Sequence, residues 1–281
     1  MRLLGFDTGG TYTDAVLFDP ETGTVLAAAK ALTTKHDLAI GLRGALDGVL
    51  QGSTDDIALV SMSTTLATNA IVEGQGSPIC LLLLGYEPSA LDRADLRRAL
   101  GHDPVCFIAG GHAPTGDEQA SLDLVALEAA INRHAANVAA FAVSGYFSVR
   151  NASHEIAARE LIRRLTGLPV TCGHELTSRL DAPRRALTAA LNARLIPQLQ
   201  QLIRAVETLL AEKGIRAPLM VVKGDGSLVS ADFAMTRPVE TILSGPAASV
   251  VAPETSAART VEDDRPSRGP PAESVAPETP D

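Results

Sequence analysis

Gly5-Phe6-Asp7-Thr8-Gly9-Gly10-Thr11-Tyr12-Thr13-Asp14 joins two short apolar runs, Arg2 to Phe6 and Ala15 to Asp19, so it reads as a hairpin between two strands. Its adjacent glycines let the backbone turn tightly and come close to a ligand, with N–H groups presented to an anion. Thr11 and Thr13 add hydroxyl donors. Asp7, at the end of the first strand, is placed to hold hydrated Mg2+ through a carboxylate oxygen, the usual way this ion joins a protein to phosphates. Asp, Gly and Thr are also ordinary hairpin residues. What favours phosphate binding is the setting: the N-terminal end of the chain, ahead of an α/β region.

Working outward, Thr24 to Lys30 follows the turn signal Pro20-Glu21-Thr22-Gly23 and completes an antiparallel meander. Asp37 is a predicted N-cap, after which Leu38, Leu42, Leu46 and Val49 recur at helical spacing. Strands are then expected at 57–62, 78–84, 105–109, 138–144 and 169–172. They alternate with helices at 64–73 (closed by Gly74), 91–100, 122–136 and 153–165. Alternation of this kind predicts a layered α/β fold. A long helical pattern runs from Asp181 to Lys213 and stops at Gly214, with a kink or split expected at Pro197. A strand at 219–223 and the tight turn Gly224-Asp225-Gly226 lead to Leu243-Ser244-Gly245-Pro246-Ala247. From about Ala252 the sequence turns to Pro, Glu, Ser, Ala and Arg, with two copies of Val-Ala-Pro-Glu-Thr, a composition that predicts a disordered tail over 252–281.

The chain has 281 residues, 46% of them apolar, enough for one large or two ordinary domains. Its formal charge of −9 argues against a nucleic-acid partner, which requires clustered Lys and Arg. No apolar run reaches the roughly 18 residues of a membrane span. Met1-Arg2-Leu3-Leu4-Gly5 carries neither the apolar core nor the cleavage site of a signal peptide, so a cytoplasmic protein is expected. Cys80, Cys106 and Cys172 are odd in number, far apart and each in an apolar run, which fits reduced structural thiols.

The hairpin, together with Lys30-Ala31-Leu32-Thr33-Thr34, Ser61-Met62-Ser63-Thr64-Thr65-Leu66-Ala67-Thr68-Asn69-Ala70, Val143-Ser144-Gly145-Tyr146-Phe147-Ser148-Val149-Arg150-Asn151 with His154-Glu155, and Leu243-Ser244-Gly245-Pro246-Ala247-Ala248, resembles the hydantoinase A/5-oxoprolinase family of the actin-like ATPase superfamily over residues 1–251. The resemblance implies an actin-like (ribonuclease H-like) α/β lobe opened by a β-meander. It also implies an enzyme subunit that uses ATP and Mg2+ to open or carboxylate a cyclic amide or related carbonyl compound through a phosphorylated intermediate, alongside a hydantoinase B-like partner. Asp7, Thr8, Gly9, Gly10, Thr11 and Thr13 would hold phosphate and Mg2+, with Asp7 catalytic. Thr64, Thr65, Thr68 and Asn69 match a threonine-rich segment at a helix start, where hydroxyls and free N–H groups meet an anion or simply cap the helix.

By the same resemblance, residues 1–178 form the N-terminal domain and 179–251 the start of a second one. The second Asp-x-Gly-Gly-Thr-type turn that the family places after Ser-Gly-Pro-Ala is not found, so a truncated or frame-shifted product with half a nucleotide cleft and impaired turnover is expected. A non-catalytic binding module is the alternative, and a small-molecule kinase of the same superfamily is a third reading, because the hairpin alone does not specify the acceptor. An apolar face left uncovered on the long helix would drive self-association.

Outside those segments, His112 in Gly110-Gly111-His112 lies in a glycine-rich loop after a strand and is the candidate for substrate or metal contact. His154-Glu155 reads either as a metal pair or as a solvated first helical turn. Arg150, Arg184 and Arg185 suit either an anionic ligand or surface ion pairs. Ser244 lacks the Gly-x-Ser-x-Gly elbow of a nucleophile, and its place in the family is a turn between lobes.

Overall fold

The computed structural model describes residues 1–34, 37–50, 54, 56–72, 74 and 76–244. The expected disordered tail and the Gly245-Pro246-Ala247-Ala248 part of the last family segment lie outside them.

The first unit is a six-stranded mixed sheet. Strands β1 (Arg2–Thr8), β2 (Tyr12–Asp19) and β3 (Thr24–Leu32) form the predicted antiparallel meander. Helix α1 (Leu38–Val49) starts where expected, with the Asp37 carboxylate accepting the Ala39 N–H at 3.0 Å. It returns the chain to β4 (Ile57–Thr64), parallel to β1 on the side away from β2. Two later strands, β11 (Leu219–Val222) and β12 (Leu228–Ser230), extend the sheet to the order β12-β11-β4-β1-β2-β3. On β1, Leu4, Phe6 and Thr8 point into the core, while Gly5 and Asp7 face the other way. The approach of α1 to β3 depends on small residues. A Cβ on Gly48 would lie 2.5 Å from the Ala29 Cβ, and one on Gly41 would lie 2.6 Å from the Leu32 carbonyl oxygen.

Short helix α2 (Leu66–Val72) leads from β4 to a second, wholly parallel sheet whose strands lie in the order β10 (Val170–Cys172), β9 (Ala140–Gly145), β5 (Ile79–Leu84) and β6 (Val105–Ile108). Its central strand β5 (Ile79–Leu84) reads Ile-Cys-Leu-Leu-Leu-Leu and is buried at all six positions, as a parallel strand covered on both faces must be. Where one helix over 91–100 was predicted, a 3-10 turn (Pro88–Asp92) and a one-turn helix α3 (Leu96–Leu100) appear instead. Between them Ala94 and Asp95 adopt positive φ of 54° and 55°, which no continuous helix permits. Strand β6 (Val105–Ile108) is followed by a small hairpin, β7 (Gly111–His112) and β8 (Glu118–Ala120), that the hydropathy pattern did not announce. Helix α4 (Leu124–His134), strand β9 (Ala140–Gly145), helix α5 (Ser153–Thr166) and strand β10 (Val170–Cys172) follow as predicted.

After a single turn, α6 (Gly173–Leu176), the chain enters the 31-residue helix α7 (Ala182–Glu212). It is not split at Pro197: Leu195, Ile196 and Leu199 are buried on either side of the proline and hold both halves in one run. The N-terminal half packs Ala182, Ala186, Ala189, Ala190 and Ala193 against the second sheet, and the C-terminal half packs Leu199, Leu202, Ile203, Val206, Leu209 and Leu210 into the core of the first. Helix α8 (Ala231–Thr236) and a 3-10 turn (Pro238–Thr241) end the described chain.

Candidate functional site

The hairpin stands at the carboxyl ends of two neighbouring parallel strands. β1 and β4 are in register at Asp7 with Ser63 and at Thr8 with Thr64, so both strands end side by side, one running into Gly9-Gly10 and the other into α2. The turn is closed by the Gly9 N–H to the Tyr12 carbonyl at 2.9 Å. Among the described residues the N–H groups of Gly10 and Thr11 find no acceptor, which leaves two adjacent donors at the tip. A Cβ at Gly9 would come to 3.0 Å from the Tyr12 carbonyl, a backbone contact, whereas at Gly10 it would meet the Asn69 side-chain amide at 3.0 Å, which can swing aside.

Asp7 is half-buried, and Ser63 Oγ donates to its Oδ1 at 2.8 Å. That bond fixes the carboxylate and leaves Oδ2 without a protein partner among the described residues, so one oxygen is open to a hydrated cation such as Mg2+. Ser63 was not singled out from sequence; the signal that finds it is its in-register place beside Asp7.

The nominated side chains divide into two sets. Gly9, Gly10, Thr11, Thr65, Thr68 and Asn69 have solvent access around the turn, with Asn69 Nδ2 reaching Thr65 Oγ1 at 3.4 Å. Thr8, Thr13 and Thr64 are buried. Thr13 Oγ1 and Thr33 Oγ1 share a hydrogen bond at 3.0 Å, while Thr64 Oγ1 donates to the Thr8 carbonyl and accepts the Leu66 N–H, a helix cap. Among the described residues the Thr8 hydroxyl has no partner.

A segment distant in sequence closes the site from behind. Ser244 Oγ accepts the Thr64 N–H at 3.2 Å and donates to the Thr64 carbonyl at 2.9 Å, and the Leu243 N–H donates to Thr68 Oγ1 at 3.0 Å. Leu243 takes a positive φ of 64°, a conformation costly for leucine that brings Ser244 inward. Ser244 is thus a buried clasp between the end of the described chain and the start of α2.

His112 lies elsewhere, at the carboxyl edge of the second sheet. The chain leaves β5 towards β6 and leaves β9 towards β10, so the crevice outside the ends of β5 and β9 is a topological switch point. A cavity of about 310 Å³ opens there, lined by Gly85, Glu87, Arg93, His112, Tyr146 and Phe147 among others. His112 is buried and shares a hydrogen bond with Ser153 Oγ at 3.2 Å, and its ring lies 4.2 Å from that of His154. Burial and the neighbouring His154 hold its pKa below the ordinary histidine value, with Glu118 pulling weakly the other way. His154 Nδ1 accepts the Gly111 N–H at 3.3 Å, so the proton sits on Nε2, which faces Glu118 Oε1 at 3.0 Å.

Two sequence readings change. His154 and Glu155 are not a solvated first turn: both are buried, and the Glu155 carboxylate accepts the Gly145 N–H, the His174 N–H and His174 Nδ1. Arg185 forms no surface ion pair; only 1% exposed, it donates to the carbonyls of Arg179, Gly145 and Tyr146 at 2.7–2.8 Å. Arg184 is exposed and pairs with Asp181 at 3.6 Å.

Comparison with known proteins places the chain in a family. The model of the hydantoinase/oxoprolinase N-terminal region matches residues 3–166, and that of hydantoinase/oxoprolinase matches 185–264. The chain is 30% identical over 270 residues to the caprolactamase subunit alpha of Pseudomonas jessenii, covering 88% of this chain and 38% of that protein. It is 29% identical over 290 residues to the acetophenone carboxylase gamma subunit of Aromatoleum aromaticum, again covering 88% and 38%. The crystal structure of the ATP-dependent caprolactamase from Pseudomonas jessenii superposes with a TM-score of 0.72 at 31% identity, over 87% of this chain and 39% of that one. The fold is therefore that of an actin-like ATPase lobe, and the chain spans about two-fifths of the length of these relatives.

Proposed function

The chain belongs to the hydantoinase/oxoprolinase family, and from that premise we propose that it is the hairpin-bearing part of an ATP-dependent, hydrolase-type subunit acting on a cyclic amide or related carbonyl compound. The observation that carries the reading is the pairing of Asp7, fixed by Ser63 with one oxygen free, with the unpartnered Gly10 and Thr11 N–H groups at the ends of two parallel strands.

In this reading Asp7 holds Mg2+, and the turn amides with Thr11, Thr65, Thr68 and Asn69 receive phosphate oxygens. Thr8, Thr13 and Thr64 shape the site from beneath. ATP supplies the phosphoryl group that activates the carbonyl oxygen; the chain positions it and offsets its charge, the main contributions a protein makes to phosphoryl transfer. His112, in a separate crevice, is the proposed contact for a small-molecule substrate. Relatives described as alpha and gamma subunits support a partner subunit, for which a hydantoinase B-like chain is our candidate. No helix among the described residues is long and apolar enough to cross a membrane, and we place the protein in the cytoplasm.

Calorimetric titration with Mg-ATP tests the site directly. Binding tighter than about 100 μM, equivalent to roughly 5 kcal/mol, is expected for the chain and is lost in Asp7→Ala and when Mg2+ is omitted. Equal affinity in Asp7→Ala would overturn the assignment. Absence of binding by the folded chain would favour a non-catalytic module.

A further inference from the structure

Apart from the hairpin and the His112 crevice, the densest concentration of unassigned chemistry is where β5, β6 and the end of α4 meet. Cys80 on β5, Cys106 on β6 and His134, the last residue of α4, bring two sulfurs and an imidazole nitrogen within 4.8 Å of one another. Both thiols are free. We propose that Cys80, Cys106 and His134 bind one soft divalent metal ion of the Zn2+ type, tying the two strands to the helix. The inference is independent of the ATP site.

The donor set is the first argument. Two thiolates and an imidazole are what Zn2+ selects, at about 2.3 Å to sulfur and 2.0–2.1 Å to nitrogen. Ligand atoms around such an ion stand roughly 3.3–3.8 Å apart, so the three, no more than 4.8 Å apart, need close by at most about 1–1.5 Å. The sequence spacing shows none of this, because the ligands come from three separate elements.

Topology argues against the obvious rival, a disulfide. In the parallel pair β5–β6, Cys106 is in register with Leu82, so Cys80 is its diagonal neighbour. With parallel strands about 4.8 Å apart and a rise of about 3.3 Å per residue, a two-residue offset puts the two Cα atoms about 8 Å apart, beyond the usual Cα separation of a disulfide. An ion between the sulfurs spans that gap without moving the backbone.

Access and charge fit as well. Cys80 is fully buried, but Cys106 and His134 are half-buried and open the site to solvent, so the fourth position falls to water. Asp103 does not compete for it, as its carboxylate already accepts the Ile79 N–H and pairs with Arg194. The neighbouring Cys106 and burial push the Cys80 thiol up, while Cys80, with His134 nearby, holds Cys106 below the ordinary thiol range. Because a thiol must be deprotonated to ligate, uptake of the ion releases protons. The other such cluster, Glu155, Cys172 and His174, is not equivalent, because the Glu155 carboxylate is already bonded to Gly145 and His174.

The test is Co2+ titration of the reduced, chelator-treated full chain. One equivalent should bind with thiolate-to-cobalt charge-transfer absorption, be displaced by Zn2+, and release protons. Cys106→Ser should abolish the absorption and His134→Gln weaken binding at least tenfold, with Cys172→Ala unchanged. Absence of the absorption in a folded chain, or its persistence in Cys106→Ser, overturns the proposal in favour of thiols that are hydrogen-bonded only. Should Cys106→Ser fail to fold, the wild-type chain decides: Zn2+ should slow alkylation of Cys106 at least tenfold, and equal rates with and without Zn2+ sink the idea.

Discussion

His112 and Arg185 carry polar chemistry into the second unit, and each makes a distinct demand on the folded state. A histidine whose folded pKa is depressed contributes its full share to stability above the unfolded value, here 6.5. It loses that share as pH falls through 6.5 towards the depressed folded value, because the unfolded chain then binds the extra proton. The chain should therefore lose stability between pH 7 and 5.5 more steeply than His112→Gln. Urea unfolding at both pH values measures this, and parallel slopes would show that His112 is not held neutral by the fold. Arg185 is a cation buried among carbonyls, with no carboxylate in contact among the described residues. Arg185→Met keeps most of the apolar stem but strands the Arg179 and Tyr146 carbonyl oxygens, the Gly145 carbonyl still accepting from Ser148, so a loss of about 3 kcal/mol is expected. A loss under about 1 kcal/mol would mean that water replaces the guanidinium freely.

Gly224 works at the scale of elements. It follows β11, donates its N–H to the Glu240 carbonyl at 2.8 Å, and leaves room for the returning chain: a Cβ there would meet the Ile242 carbonyl oxygen at 2.2 Å. Backbone cannot yield as a side chain does. Gly224→Ala should therefore push the 242–244 segment outward, costing about 1–3 kcal/mol, and free Ser244 from Thr64. Weaker Mg-ATP binding in parallel with lower stability is the expected pair of results; intact affinity would detach the clasp from the site. The turn Gly224-Asp225-Gly226 was legible in the sequence, but its neighbour across space was not. The same contrast runs through the chain. Capping at Asp37, the alternation of buried strands with amphipathic helices, and the two-glycine hairpin are local patterns, and the elements they predict are present. Ser63 beside Asp7, Ser244 on Thr64, and the burial of Glu155 and Arg185 depend on strand register and long-range return of the chain, which no periodicity records. The helix expected over 91–100 is broken by the positive φ of Ala94 and Asp95, and the β7–β8 hairpin was missed because its strands, two and three residues long, are too short to carry a pattern.

For the whole molecule, α7 is the element that makes two sheets one structure. Its alanine-rich first half lets the helix lie close on the second sheet, while its leucine-rich second half fills the core of the first. Asn192 between them donates to Thr171 Oγ1 on β10 and to the Thr236 carbonyl at the end of α8, and accepts the Val239 N–H. Two units joined by a continuous buried helix should unfold together, since neither core is complete once the helix leaves it. Leu202 is fully buried in the first core, and Leu202→Ala should cost about 2–5 kcal/mol. If the helix couples the units, native-state hydrogen exchange will show slowly exchanging amides of β1 and β5 losing protection by the same amount, although Leu202 is absent from the core beneath β5. Loss confined to β1 would mean that the second sheet folds by itself and that α7 is a linker with two separate contacts.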